Sequence, residues 1–322
     1  MPYDRKKAMA YAKTYWDQPC DDGYFWNTGE KIFIEEERKK KKAPAKDGWV
    51  PRFVRDGTGG EDALFIKPNA AGVSILGYAG TWDTKLIHGW AGLADCAHYL
   101  SKCLSAGGVS IAEIAVSVLV RKLQSRADTK TLVEKVPTAA AQRVIDSGIF
   151  KEGDMIGYFN TSPHGDYGRA NSYTHSTMFV GKDGGGIGRI TCHTKSRYMN
   201  LFDGDDWTIG TDYKYTLIHI SSDDAPLTSG TTTTYAGWYE VGPAAAPVYY
   251  KLGDKGTFAV TRKKPKAAGE TAQQAFDTGY WFASAPGVIA FGKTKGDVIR
   301  FDLTAALSAK LNGAPVSATK LF

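Results

Sequence analysis

The stretch Asp95-Cys96-Ala97-His98-Tyr99-Leu100-Ser101-Lys102-Cys103-Leu104, DCAHYLSKCL, decides how the rest of the chain is read. Tyr99, Leu100, Cys103 and Leu104 recur at three- and four-residue spacing, the stripe of a helix with one buried face. Gly107-Gly108 follows and stops it, so the spacing predicts a helix over 96–106. Asp95 then stands at the N-cap, where a carboxylate accepts from backbone N–H groups one turn ahead. Cys96 comes directly after it. Unpaired N–H groups and the dipole at a helix N-terminus lower a thiol pKa from about 8.5 into a range of roughly 3.5–7.5. The same N–H groups can hold the oxyanion of a tetrahedral intermediate. Two readings stand at this point: a small buried side chain, as cysteine usually is, or a thiolate held for attack.

Working outward, the 322-residue chain is 43% hydrophobic and 23% charged, which fits one large or two modest folded domains and not a disordered chain. The net charge of +6 suits a polyanionic partner such as a bacterial cell wall or a nucleic acid. Much of the charge sits in the run Glu35–Lys42, which reads as a solvated loop or helix face. No basic stripe is interleaved with aromatics, which argues against nucleic acid. The four cysteines, Cys20, Cys96, Cys103 and Cys192, are too few for a disulfide scaffold. Cys96 and Cys103 would lie about 10 Å apart along one helix, too far to bridge. A zinc site from Cys96, His98, Cys192 and His193 has spacings unlike the common structural sites, so no metal and no cofactor is expected. The N-terminal MPYDRKKAMAYAKTYW is basic but lacks the apolar core and cleavage site of a secretory signal. No run approaches the roughly 20 apolar residues of a membrane span. A soluble chain made in the cytoplasm is the expectation.

The periodicity predicts helices over 3–17 and 96–106, one from Ser110 to about Ala127 with a Ser110/Glu113 capping box, and one over 138–148. Between the first two lies a Gly- and charge-rich region, 18–87, read as loops with short strands. Short apolar runs follow at Met155–Asn160, Ser176–Gly181, Gly188–Thr194 and Lys214–Ser221. Helices first and strands after argue α+β. The polar stretch SSDDAPLTSGTTTT reads as a linker. After it six strand-like runs form a small antiparallel module. The expected division is therefore 1–222 with an insertion at about 21–87, a linker at 223–234, and a β-rich module at 235–322. Trp238, Tyr239, Tyr249, Tyr250, Tyr280 and Trp281 of that module could stack on a sugar, but sheet-core packing is the better reading.

A cysteine nucleophile needs a base and something to orient it. In THSTMFVG, 174–181, alternation puts His175 on one face of a strand, at its mouth. In RITCHT, 189–194, His193 is out of phase with Cys192. If the two strands pair as a hairpin, His193 can lie beside His175 and orient its ring, with Asn171, Asn200 and His219 as other candidates. His88, Trp82, Trp90 and Tyr78 could line a pocket. His98 reads as exposed, Cys103 and Cys192 as core, and Cys20 as incidental.

DCAHYLSKCLSAGG resembles the nucleophile helix of bacterial amidase-domain proteins of the NlpC/CHAP-like cysteine cell-wall hydrolases, which are papain-like enzymes. GDMIGYF (153–159), THSTMFVG and CHTKSR (192–197) resemble their following strands, and YDRKKAMAYAKTYW resembles their opening helix. The match covers about 1–20 and 88–220 and departs in the insertion at 21–87. The resemblance implies a papain-like α+β domain, with helices packed on an antiparallel sheet. It implies Cys96 as nucleophile, His175 as base and His193 as third member; Asp95 as cap and His88 and Trp82 as candidate pocket residues rest on their positions beside Cys96. The implied substrate is an amide bond of peptidoglycan or its peptide stem, with an antibacterial toxin role and an immunity or delivery protein as partner. Lacking a signal, such a protein would reach the wall by a specialised secretion system or by lysis. The rival classes are a deamidase, peptidase or acyltransferase acting on a cytosolic protein, and a non-catalytic binding protein of the same fold.

Overall fold

A computed structural model of the chain describes residues 2–16, 20–21, 26–27, 30–31, 50–55, 61–68, 74–78, 95–162, 170–193, 197–203, 213–222, 235–253, 256–284, 287–302 and 307–322. In chain order the elements begin with α1 (Arg5–Tyr15), β1 (Trp26–Asn27), β2 (Glu30–Lys31), β3 (Val50–Arg55), β4 (Glu61–Pro68) and β5 (Ser74–Tyr78). Then come α2 (Cys96–Ala106), α3 (Val116–Gln124), β6 (Thr129–Val136), α4 (Thr138–Asp146), β7 (Met155–Asn160), β8 (Ser172–Lys182), β9 (Gly188–Cys192), β10 (Arg197–Leu201) and β11 (Tyr213–Ile220). The C-terminal strands are β12 (Gly237–Val241), β13 (Val248–Leu252), β14 (Thr257–Thr261), β15 (Asp277–Ser284), β16 (Gly287–Gly292), β17 (Val298–Asp302), β18 (Ser308–Leu311), β19 (Ala314–Val316) and β20 (Ala318–Lys320). The protein mixes few helices with mostly antiparallel sheet. It divides into two compact units, 1–123 with 155–212 and 124–154 with 213–322.

In the first unit, β3, β4 and β5 form a small antiparallel sheet, and β10-β9-β8-β7 lie side by side in that order. α2 packs on α1 and across β8 and β9. Small residues allow the helices to approach: Ala8 and Ala12 of α1 are fully buried. Asp4 caps α1 by accepting from the Lys7 N–H at 3.0 Å. Its own N–H donates to the Gly107 carbonyl at 2.8 Å, which docks the start of α1 on the end of α2. Gly107 is needed there, because a Cβ would stand 2.4 Å from the Tyr3 ring. The expected Ser110/Glu113 capping box does not form. α3 starts at Val116, and Glu113 is turned to α2, where its N–H donates to Ser101 Oγ at 3.1 Å and Ser101 Oγ–H donates back to its carbonyl at 3.0 Å.

In the second unit, β6 pairs with β11 and α4 lies on both. The nine-stranded sheet runs β19-β18-β17-β16-β15-β14-β13-β12-β20. Its two edge strands are consecutive in the chain, joined through Ser317, so the sheet nearly closes on itself. Gly242, just past β12, holds Ser317 of that connection by two hydrogen bonds of 3.0 and 2.6 Å. Tyr239, Tyr250, Phe258, Trp281, Ile299 and Phe301 fill the interior. Trp238, Tyr239, Tyr249, Tyr250 and Trp281 are all buried, so these aromatics are core rather than an exposed sugar platform. Gly296 (φ +70°) brings the β16–β17 turn against Ala140 and Val136, and its carbonyl accepts from Arg143 at 3.1 Å. These contacts join 124–154 to the barrel-like sheet. The predicted linker at 223–234 and the charge run at 35–42 lie outside the described residues.

Candidate active site

The helix begins where the sequence places it, with the Asp95 carbonyl accepting from the Tyr99 N–H at 2.9 Å. Cys96 is its first residue and is buried, with 2% of its surface exposed. Asp95 does not cap with its side chain, contrary to expectation. Its backbone (φ −98°, ψ 1°) is not the extended conformation that aims a cap oxygen at the first-turn N–H groups. The carboxylate instead takes two imidazoles. His98 Nδ1 donates to Oδ1 at 2.8 Å, and His193 Nδ1 donates to Oδ2. Burial pushes the Asp95 carboxyl up, but hydrogen bonds from His193 and His98 outweigh it and hold the group below its ordinary value. His98 is therefore buried and partnered, not exposed.

His193 follows β9 and is fully buried. Its Nε2 donates to the Tyr15 carbonyl at 2.7 Å. Its two ring nitrogens thus face acceptor oxygens of Asp95 and Tyr15. Tyr99 stacks on the ring at 4.0 Å and 19°, and its hydroxyl bonds to Ala12 O at 2.9 Å and Thr191 Oγ1 at 3.0 Å. Cys20 completes the cluster: its sulfur, an Asp95 oxygen and a His193 nitrogen lie within 4.8 Å of one another. The ends of α1, α2 and β9 meet in this one buried polar knot.

His175 lies elsewhere on the sheet. It is on β8 opposite Tyr158 of β7, ring centroids 5.2 Å apart. Burial, and then the charge of Arg197, hold its pKa well below that of an ordinary imidazole. Arg197 pairs with Cys192 across β9 and β10. Burial pushes the Cys192 thiol up, Arg197 opposes this, and Cys96 adds to it, so the two thiols share a neighbourhood. Cys103 is buried with its thiol pushed up, as a core residue should be.

The predicted β8–β9 hairpin is present, but its register separates the two histidines. A bulge between Phe179 and Gly181 sets Met178 opposite Thr191. Strand alternation then puts Cys192 level with Thr177, on the face of His175, and sends His193 to the other face. With both ring nitrogens already engaged by Asp95 and Tyr15, His193 does not orient His175. Nor does His219, whose Nδ1 donates to Asp154 Oδ2 at 2.7 Å in the second unit. Tyr78 ends β5, while His88, Trp82 and Trp90 lie outside the described residues.

Cys20 is the member that sequence reasoning passed over. It sits 75 positions before Asp95, with no motif around it. The Asp95/His98 pairing was readable, since residues three apart on a helix face each other.

Among the described residues no helix is long and apolar enough to cross a membrane. No family model, no curated protein and no solved structure matches the chain.

Proposed function

We propose that this protein is a papain-like cysteine amidohydrolase that cleaves an amide bond of bacterial peptidoglycan. The observation that carries the reading is the placement of Cys96 at the first position of α2, on a helix packed across the strand that bears His175. A thiol there lies at the positive end of a helix dipole. A general base must be neutral to accept a proton, and burial together with Arg197 keeps His175 in that form.

In the proposed reaction, His175 takes the Cys96 Sγ proton and the thiolate attacks the amide carbonyl. The oxyanion is held by N–H groups at the start of α2. His175 returns the proton to the leaving amine, and water cleaves the thioester to a carboxylic acid and the free thiol. His193 and Asp95 serve this site by fixing where α2 begins. The cell wall as substrate comes from the resemblance of DCAHYLSKCL, GDMIGYF and THSTMFVG to the amidase-domain family, and so does delivery by secretion or lysis.

The test is mass spectrometry of purified peptidoglycan treated with wild type and with Cys96→Ala. Fragments released by wild type alone are the expected result, and their masses name the bond. Release by both, or by neither, overturns the reading. A second reading, a binding protein on the same fold, is favoured by the burial of both Cys96 and His175. It predicts a Cys96 thiol that iodoacetamide fails to label near neutral pH.

A further inference from the structure

We propose that Cys20, Asp95 and His193 form a binding site for one zinc-class divalent cation, a site that does not use the Cys96 thiol and stands whether or not Cys96 is a nucleophile. Thiolate, carboxylate and imidazole are the three ligand types that zinc takes from proteins. Their ligand atoms already lie within 4.8 Å of one another. Zinc bonds of about 2.0–2.3 Å in a tetrahedron set ligand atoms roughly 3.3–3.7 Å apart, so the Cys20 sulfur must close in by about 1 Å and the hydrogen-bonded Asp95–His193 pair must part by a similar amount. All three side chains are fully buried and come from three separate stretches of the chain, after α1, before α2 and after β9.

The surroundings match a metal site beyond its ligands. A ligating histidine usually donates its second N–H to a carbonyl or carboxylate, which fixes ring and tautomer. His193 Nε2 does this to Tyr15 O at 2.7 Å, leaving Nδ1 aimed at Asp95 Oδ2. The ligating carboxylate is itself held, since Asp95 Oδ1 accepts from His98 Nδ1 at 2.8 Å. Tyr99 stacked on the His193 ring closes one side. Charge also balances: a thiolate and a carboxylate neutralise a dication, with the imidazole neutral. Binding displaces the Nδ1 and Sγ protons to solvent, and the Asp95–His193 hydrogen bond is replaced by two bonds to the ion. Three protein ligands leave the fourth position to a water. The oxygen, nitrogen and sulfur donors together select a borderline cation over magnesium or calcium.

The experiment uses the full chain without an affinity tag. Metal is counted by mass spectrometry after incubation with zinc and gel filtration, and cobalt(II) is then added to metal-stripped protein. The expected result is one zinc per chain and a cobalt spectrum with a thiolate charge-transfer band and strong tetrahedral visible bands. Cys20→Ser should lose the charge-transfer band, while Cys96→Ser and Cys103→Ser keep it. Circular dichroism of Cys20→Ser checks that it folds, and His193→Gln gives a second variant that should lose stoichiometric zinc. Substoichiometric zinc in wild type, or a charge-transfer band that survives Cys20→Ser or disappears in Cys96→Ser, overturns the proposal. Because Cys96→Ser should keep its metal while losing hydrolysis, failure of this site and failure of the hydrolase reading are told apart.

Discussion

Each unit of the protein buries one aspartate against a histidine, and the two pairs are built differently. In the second unit Asp154 accepts from His219 at 2.7 Å, and also from the backbone N–H groups of Lys151 at 2.8 Å and Ile220 at 3.0 Å. Main-chain donors pin that carboxylate to a turn and to the end of β11. In the first unit the carboxylate of Asp95 takes the imidazoles of His193 and His98, with no side-chain cap to its own helix and a thiol close by. Backbone donors cannot leave without unmaking the fold, whereas an imidazole proton can give way to another ligand. The Asp154 pair is thus a clamp, and the Asp95 pair has the makings of a site.

The largest expected effect breaks both pairs. Stranding a buried hydrogen-bonding group costs about 1–3 kcal/mol, and each carboxylate holds more than one such donor, so Asp95→Ala and Asp154→Ala should each lower the urea midpoint strongly. They should differ in what else is lost. Asp154→Ala keeps its zinc stoichiometry and its action on peptidoglycan under conditions where it is still folded, whereas Asp95→Ala loses the metal. Asp154→Asn retains an oxygen for one backbone donor and should recover part of the stability. Equal metal loss in both alanine variants would erase the distinction.

His175 sharpens the comparison, because its charged neighbour is a cation and not a carboxylate. Burial and Arg197 hold its folded pKa well below the ordinary value of 6.5. The unfolded chain therefore takes up this proton first as pH falls. Stability contributed by neutral His175 is complete above pH 6.5 and is lost on going below it. Wild type should lose stability over that range more steeply than His175→Gln, measured by denaturant midpoints. Arg197→Gln removes the repulsion, raises the His175 pKa and should flatten the slope. Identical slopes in wild type and His175→Gln would show that His175 titrates in the fold as it does in the unfolded chain, which would overturn the effect of burial and Arg197.

Local pattern made α2 legible to the residue, because the stripe Tyr99/Leu100/Cys103/Leu104 and the stop at Gly107 are set within one element. β12, β13 and β14 were equally readable from their apolar alternation and turn residues. β6 was not. TKTLVEKV follows a helical stretch, carries two lysines, and becomes a strand only by pairing with β11, far along the chain. The hairpin of β8 and β9 was foreseen, but not the bulge that turns His193 away from His175. A one-residue slip leaves no trace in alternation on either side. The polar knot was half visible: the spacing shows Asp95 and His98 together, while Cys20 and His193 reach it only through the packing of α1 and β9 against α2.

The smallest expected effect tests whether that knot depends on its roof. Tyr99 stacks on His193 and ends its hydroxyl on Ala12 O and Thr191 Oγ1. Tyr99→Phe keeps the ring and removes the hydroxyl. Thr191 Oγ1 still donates to the Arg197 carbonyl at 2.8 Å, so the backbone group that loses a donor is the Ala12 carbonyl. A net hydrogen bond is worth about 1 kcal/mol, so a loss of that order is expected, with zinc stoichiometry unchanged. Tyr99→Ala removes the stacked face as well and should loosen the His193 ring, which weakens cobalt binding without abolishing the charge-transfer band. If Tyr99→Phe alone cost as much as Asp95→Ala, the hydroxyl and not the carboxylate would be holding the three ends together. The first-unit pair would then be a clamp of the same kind as Asp154 and His219.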